Sequence, residues 1–161
     1  YYAFDEKPYF YSQPVGGMRS FGHIQNLTAN IDYSLAETNF TLGLSQLSQN
    51  LKRRSLIVVF TDFVDSTNAE LMVENISNLI RRHVVIFVAY RDEILESMIN
   101  KDPDTTEDIS RAVISESLMR ERDLVIARLL RAGVHVVDTD AANMNINILN
   151  TFLELKRREM I

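Results

Sequence analysis

The sequence predicts an α/β fold: a doubly wound, mostly parallel sheet with helices on both faces and an amino-terminal antiparallel edge hairpin. Three observations predict it. Two solid blocks, Leu56-Ile57-Val58-Val59-Phe60 and Val84-Val85-Ile86-Phe87-Val88-Ala89, are β-branched and apolar on both faces, a composition wanted only by strands covered on both sides. A third apolar block, Val134-His135-Val136-Val137, follows later. Between them, apolar residues recur at helical spacing, and strand–helix alternation of this kind gives a parallel sheet with right-handed crossovers.

The first fifteen residues are aromatic-rich and broken by Pro8 and Pro14, so they read as two short strands about the polar turn Asp5-Glu6-Lys7, with proline confining the second strand to a sheet edge. Phe21, Ile24, Leu27 and Ile31 mark a helix. A second helix spans 39–53, with Phe40, Leu44, Leu47 and Leu51 on one face and Thr38 at the N-cap position. The 56–60 block is expected to be a central parallel strand. A helix from 66 or 67 to 82 turns Leu71, Ile76, Leu79 and Ile80 inward before the second strand. Residues 93–133 exceed a simple crossover and predict a short helix over 94–99, a polar loop, an N-cap at Thr105 or Thr106, and a long helix ended by Gly133 in the left-handed region. The third strand covers 134–137, and Met144, Ile148, Phe152 and Leu155 mark the last helix.

Composition narrows the function. The chain has 161 residues, 46% apolar and 24% charged, within the range of one soluble domain. With no cysteine, thiolate nucleophiles, zinc ribbons and iron–sulfur clusters are excluded. The net charge of −5 lacks the footprint of a nucleic-acid binder, and the clusters Lys52-Arg53-Arg54 and Lys156-Arg157-Arg158 read as cations offsetting helix dipoles. No apolar run approaches the ~20 residues needed to cross a bilayer. The chain opens on Tyr1 with no signal sequence, and we read it as cut from something longer.

In a doubly wound sheet, ligands collect beyond the carboxyl ends of the strands. Each predicted parallel strand ends there in a carboxylate: Asp62, Asp92 and Asp138. One reading is a Mg²⁺-dependent phosphoryl-transfer or hydrolytic enzyme using Asp62 with Asp138 or Asp140. No glycine pattern supplies a phosphate cradle, and aspartates after strands commonly cap the next helix. His23, His83 and His135 have no metal-ligand spacing, no nucleophile elbow is present, and all three histidines read as structural. No catalytic residue is assigned.

At Arg53-Arg54-Ser55-Leu56-Ile57-Val58-Val59-Phe60-Thr61-Asp62-Phe63, with a further Asp65, the sequence resembles the bacterial "domain of unknown function 58" proteins, which carry a von Willebrand factor A-like domain. Tyr2-Ala3-Phe4-Asp5, Arg81-Arg82-His83, Gly133-Val134-His135-Val136-Val137 and Phe152-Leu153-Glu154-Leu155-Lys156-Arg157-Arg158 agree with that pattern, so the resemblance covers essentially all of residues 1–161 as a single amino-terminally truncated domain. It implies a metal-ion-dependent adhesion site binding Mg or Mn in the intact protein. Asp62 matches the aspartate after the fourth strand. Thr38 is the best match for the threonine of the second loop, with Thr41 its rival and Asp65 a lesser contributor. The Asp-x-Ser-x-Ser loop is missing, since Asp32-Tyr33-Ser34-Leu35-Ala36 ends in alanine and Asp108-Ile109-Ser110 falls in a helix.

The resemblance therefore implies a non-enzymatic protein-interaction module whose metal is completed by a partner's carboxylate. The partner it suggests is a MoxR-type AAA+ ATPase, and the parent protein would be membrane-anchored with this domain facing the cytoplasm. In the family order 3-2-1-4-5-6, strand 56–60 would lack its neighbour and expose an apolar edge. The truncated chain is then expected to hide that edge by self-association or by rearranging its hairpin, and to bind Mg²⁺ weakly if at all.

Overall fold

The computed structural model describes residues 1–12, 16–17, 20–29, 31, 36–61, 66–100, 102 and 104–161. The chain divides into two compact units, Tyr1–Leu51 and Lys52–Ile161.

In the first unit, β1 (Tyr2–Phe4) and β2 (Pro8–Tyr11) pair antiparallel about a turn at residues 5–7. Two helices follow, α1 (Ser20–Thr28) and α2 (Phe40–Asn50). The aromatic richness of the hairpin builds a small core. The Phe4 ring meets Phe40 edge-on at 5.9 Å, and the Tyr2 hydroxyl donates to the Gly43 carbonyl at 2.9 Å. The α2 cap is Asn39, whose side chain accepts from the Leu42 amide, and not Thr38. Asn39 is the better placed because its own amide is already anchored on Asp5 O, which fixes the backbone one residue later than expected. The hairpin is also not an edge of the parallel sheet: among the described residues it forms a two-stranded sheet of its own.

The second unit holds a three-stranded parallel sheet in the order β3-β4-β5, made of β3 (Leu56–Thr61), β4 (Val84–Tyr90) and β5 (His135–Thr139). The connections are α3 (Ser66–Leu79) from β3 to β4, then α4 (Glu93–Asn100) and α5 (Thr106–Ala132) from β4 to β5; α6 (Met144–Arg157) follows. α5 begins in a capping box between Thr105 and Asp108 and ends at Gly133 with φ 92°, as the glycine predicts.

β4 is buried from Val84 to Ala89, which matches its unbroken apolar run. Its Val84, Ile86 and Val88 join Val137 and α6 Leu155 in one core cluster, against which Leu56, Met144, Ile148 and Met160 pack. Val85, Phe87 and Ala89 alternate to the other face, where α3 and α5 pack on each other and contribute buried Met72, Ile76, Val125 and Leu129.

β3 is not the central strand among the described residues. It stands at one end of the order, and its two faces differ. Ile57 and Val59 are buried, whereas Val58 is 37% and Phe60 63% exposed. Their register partners Ile86 and Val88 lie under α6, so α6 covers β4 and leaves the adjoining row of β3 open. The similar apolar composition of the two strands hides this difference in the sequence. No helix among the described residues is long and apolar enough to cross a membrane.

Candidate functional site

The carboxyl edge of the parallel sheet is built from the ends of β4 and β5. β5 extends to Thr139, so Asp138 lies within the strand rather than after it. The Arg91 amide bonds to Thr139 O at 2.9 Å and ties the two strand ends together.

Asp138 is held by two guanidiniums. Arg122 of α5 reaches it with both terminal nitrogens, at 2.6 Å to Oδ1 and 3.3 Å to Oδ2, and also donates to Tyr90 O at 3.3 Å. From the solvent side Arg91 approaches Oδ2 at 3.3 Å and extends the pairing to Glu96 at 3.5 Å. Arg122 is only 8% exposed, and its Nε has no hydrogen-bond partner. Partial burial pushes the Asp138 pKa up, but hydrogen bonds from Arg122 and then Arg91, together with their charges, hold it below the ordinary carboxylate value. The same contacts raise the Arg91 pKa, through its Asp138 hydrogen bond first.

The other two described strand-end aspartates serve helix starts. Asp92 accepts from the Ile94 amide at 2.8 Å and opens α4. Asp140 accepts from the Asn143 amide at 2.8 Å and from its side chain, before α6; these bonds lower its pKa. Thr139 receives Asn147 Nδ2 at 2.9 Å, which pins the first turns of α6 to the end of β5.

Asp62 and Asp65, the carboxylates of the expected metal site, lie outside the described residues, as do residues 32–35 of the rejected loop mimic. Thr38 is half-buried just before α2, and Thr41 is exposed in its first turn. Among the described residues no three histidine, aspartate or glutamate side chains group so as to hold a metal. The structure adds Arg122, which sequence reasoning missed. A signal was present: Ser115, Arg122, Val125 and Leu129 share the buried face of α5, and an arginine on an apolar stripe calls for a buried partner.

At the opposite edge, His83 is 4% exposed. Its Nδ1 accepts the Ser55 amide at 3.2 Å, which puts the proton on Nε2, a buried atom without a partner. Burial, and then the charge of Arg82, lowers its pKa from 6.5. The folded state thus favours the neutral ring. The stability this contributes is complete above the unfolded value of about 6.5 and is lost as pH falls below it, because a protonated Nδ1 cannot accept the amide that leads into β3. Thermal melts are expected to show lower stability at about pH 5.5 than at about pH 7.5, with a smaller difference in His83→Asn. An equal difference in both proteins would assign the dependence to other groups.

The remaining histidines add no site. His23 is in α1, and His135 opens β5 half-buried. Comparison with known proteins gives no match to any family model, any curated protein or any solved structure.

Proposed function

We propose that the chain is a non-enzymatic protein-interaction module with the doubly wound architecture of a von Willebrand factor A-like domain. The observation that carries this is the state of the strand-end carboxylates. Asp138 is neutralised by two arginines, and Asp92 and Asp140 bind the amides at helix starts. A phosphoryl-transfer centre needs carboxylates open to a metal or to a reacting proton, and these three are committed to the fold. Asp62 is then the carboxylate of this edge to test.

In this reading Asp62 and Thr38, with Thr41 or Asp65 as lesser contributors, hold Mg or Mn in the intact protein, and a carboxylate of the partner completes the coordination. A MoxR-type AAA+ ATPase is the proposed partner, and the membrane-anchored parent is part of the same reading, which follows the resemblance at Arg53–Phe63. Calorimetric titration of the 161-residue chain should give Mg²⁺ affinity no tighter than about millimolar, since Mg²⁺ gives up its waters reluctantly. Micromolar affinity abolished by Asp62→Ala would overturn the incomplete site. Phosphatase or nucleotidase turnover at millimolar Mg²⁺ that falls in Asp138→Asn would overturn the non-enzymatic reading.

Self-association is proposed for the open side of β3. The strand has no lysine, proline or bulge to blunt its edge, and it carries exposed Val58 and Phe60. Light scattering should give a mass above that of one chain, shifted toward the monomer by Phe60→Lys. A monomeric mass for the unaltered chain, with the β3 amides unprotected in hydrogen exchange, would refute it.

A further inference from the structure

In a chain of net charge −5, one edge of the parallel sheet gathers positive charge. β3 is entered through Arg53 and Arg54, and β4 through Arg81 and Arg82. α5 carries Arg131 in its last turn, immediately before β5. α6 starts beside Thr139 at the carboxyl edge and packs Leu155 on the β4 cluster, so it runs back against the strands. Its final turn delivers Lys156 and Arg157, then Arg158, to the same edge.

The cause is topological. In a parallel sheet each crossover helix ends where the next strand begins, and a helix end attracts cations. The two clusters that the sequence presents 100 residues apart are thereby joined by three further arginines. All these side chains are exposed. Arg158, the cap of α6, pairs with Glu154, while Arg53, Arg54, Arg81, Arg82, Arg131, Lys156 and Arg157 have no carboxylate partner among the described residues. The result is eight cations at one edge of a chain whose net charge is −5.

A second, independent observation concerns the flanks. Leu130, in the last turn of α5, is 55% exposed, and Leu153, one turn before the end of α6, is 52% exposed. They belong to helices on the two faces of the sheet, so a leucine stands on either side of the basic edge. Helix dipoles give no reason for exposed leucines there. Nor does the edge suit nucleic acid, since no aromatic residue lies in segments 53–54, 81–82, 130–131 or 153–158 for bases to stack on. Cations flanked by exposed aliphatic side chains are the combination that binds an anionic bilayer, where headgroups take the charge and the aliphatic groups enter the interface.

We propose that the amino-terminal edge of the β3-β4-β5 sheet is a peripheral docking surface for an anionic lipid bilayer. The strands then stand end-on to the membrane, and the carboxyl edge points away from it.

Co-sedimentation of the full chain with vesicles tests this. Binding is expected to phosphatidylglycerol-containing vesicles at about 50 mM salt, to be largely lost at about 300 mM, and to be absent for pure phosphatidylcholine. Each of the pairs Arg53→Gln/Arg54→Gln and Lys156→Gln/Arg157→Gln should weaken binding by about 25-fold, taking about fivefold per cation. Leu130→Ser/Leu153→Ser should weaken vesicle binding and leave retention on a sulfated cation-exchange resin unchanged. Circular dichroism confirms that each variant is folded. Absent or equal binding to the two vesicle types would overturn the proposal, as would a leucine pair without effect. Tighter binding to a single-stranded oligonucleotide or to polyglutamate than to the anionic vesicles would assign the edge to those partners instead.

Discussion

Asp138→Asn is expected to lower stability by about 3 kcal/mol, because it leaves the buried Arg122 guanidinium only the exposed Asp123 carboxylate, at 3.8 Å, as counter-charge. For a chain of this length that corresponds to a melting temperature lower by roughly 10 °C. Asparagine keeps the size and part of the hydrogen bonding, so the loss reports charge rather than packing. Arg91 cannot compensate, since it is also cationic and lies on the solvent side of the same carboxylate. Its own removal, as Arg91→Gln, should cost about 1 kcal/mol or less, as exposed pairs do. The double variant Arg122→Met/Asp138→Asn should recover part of the loss by removing the buried charge that is left unpaired. Acid titration gives a further check. The folded-state pKa of Asp138 lies below its ordinary value, so its contribution is present above about pH 4 and is lost as pH falls through the lower folded value. Stability of the unaltered protein should therefore fall more steeply below about pH 4 than that of Asp138→Asn. Parallel acid profiles would show that the two arginines contribute little.

Gly43→Ala is expected to destabilise the 1–51 unit by about 1–3 kcal/mol, against the usual gain of about 1 kcal/mol for this change inside a helix. A Cβ on Gly43 would fall within the ring of Phe4. That ring cannot yield freely, because it packs on Tyr2 at 5.6 Å and on Phe40 at 5.9 Å, and the Tyr2 hydroxyl is bonded to the Gly43 carbonyl itself. Hairpin and helix must move apart. The expected signature is a changed near-ultraviolet circular dichroism signal with unchanged amide protection in β4. In a Phe4→Ala background the same glycine substitution should become neutral or stabilising. A loss of the same size in both backgrounds would place the cause elsewhere.

The parallel sheet was legible in the sequence because its signal is local: apolar blocks read as strands, and Gly133 and Thr105 mark helix ends within a residue. Side chains whose roles depend on non-local partners were not legible. Leu56-Ile57-Val58-Val59-Phe60 and the β4 block have the same chemistry, yet one is enclosed and the other is open on its α6 side, a difference set by where α6 lands. Asp138 reads in the sequence as a helix cap or, in the enzymatic alternative, as a metal ligand, because its two arginines come from elsewhere, one from a helix starting 32 residues earlier. For Asp62 and Asp65, outside the described residues, the sequence remains the guide.

The open row of β3 has a kinetic counterpart. Its ladder partner Val84 lies 28 positions along the chain from Leu56, and β4 waits a further 49 positions for His135 to pair with Ile86. Helices form within about a microsecond, whereas strand pairings of this separation come late. The stretch from Leu56 to Phe60 is then expected to stay unpaired until late in folding, and its α6 side is still half-open at the end. Yield on refolding should then depend on protein concentration more strongly than equilibrium stability does, and a charge at position 60 would act chiefly on that yield.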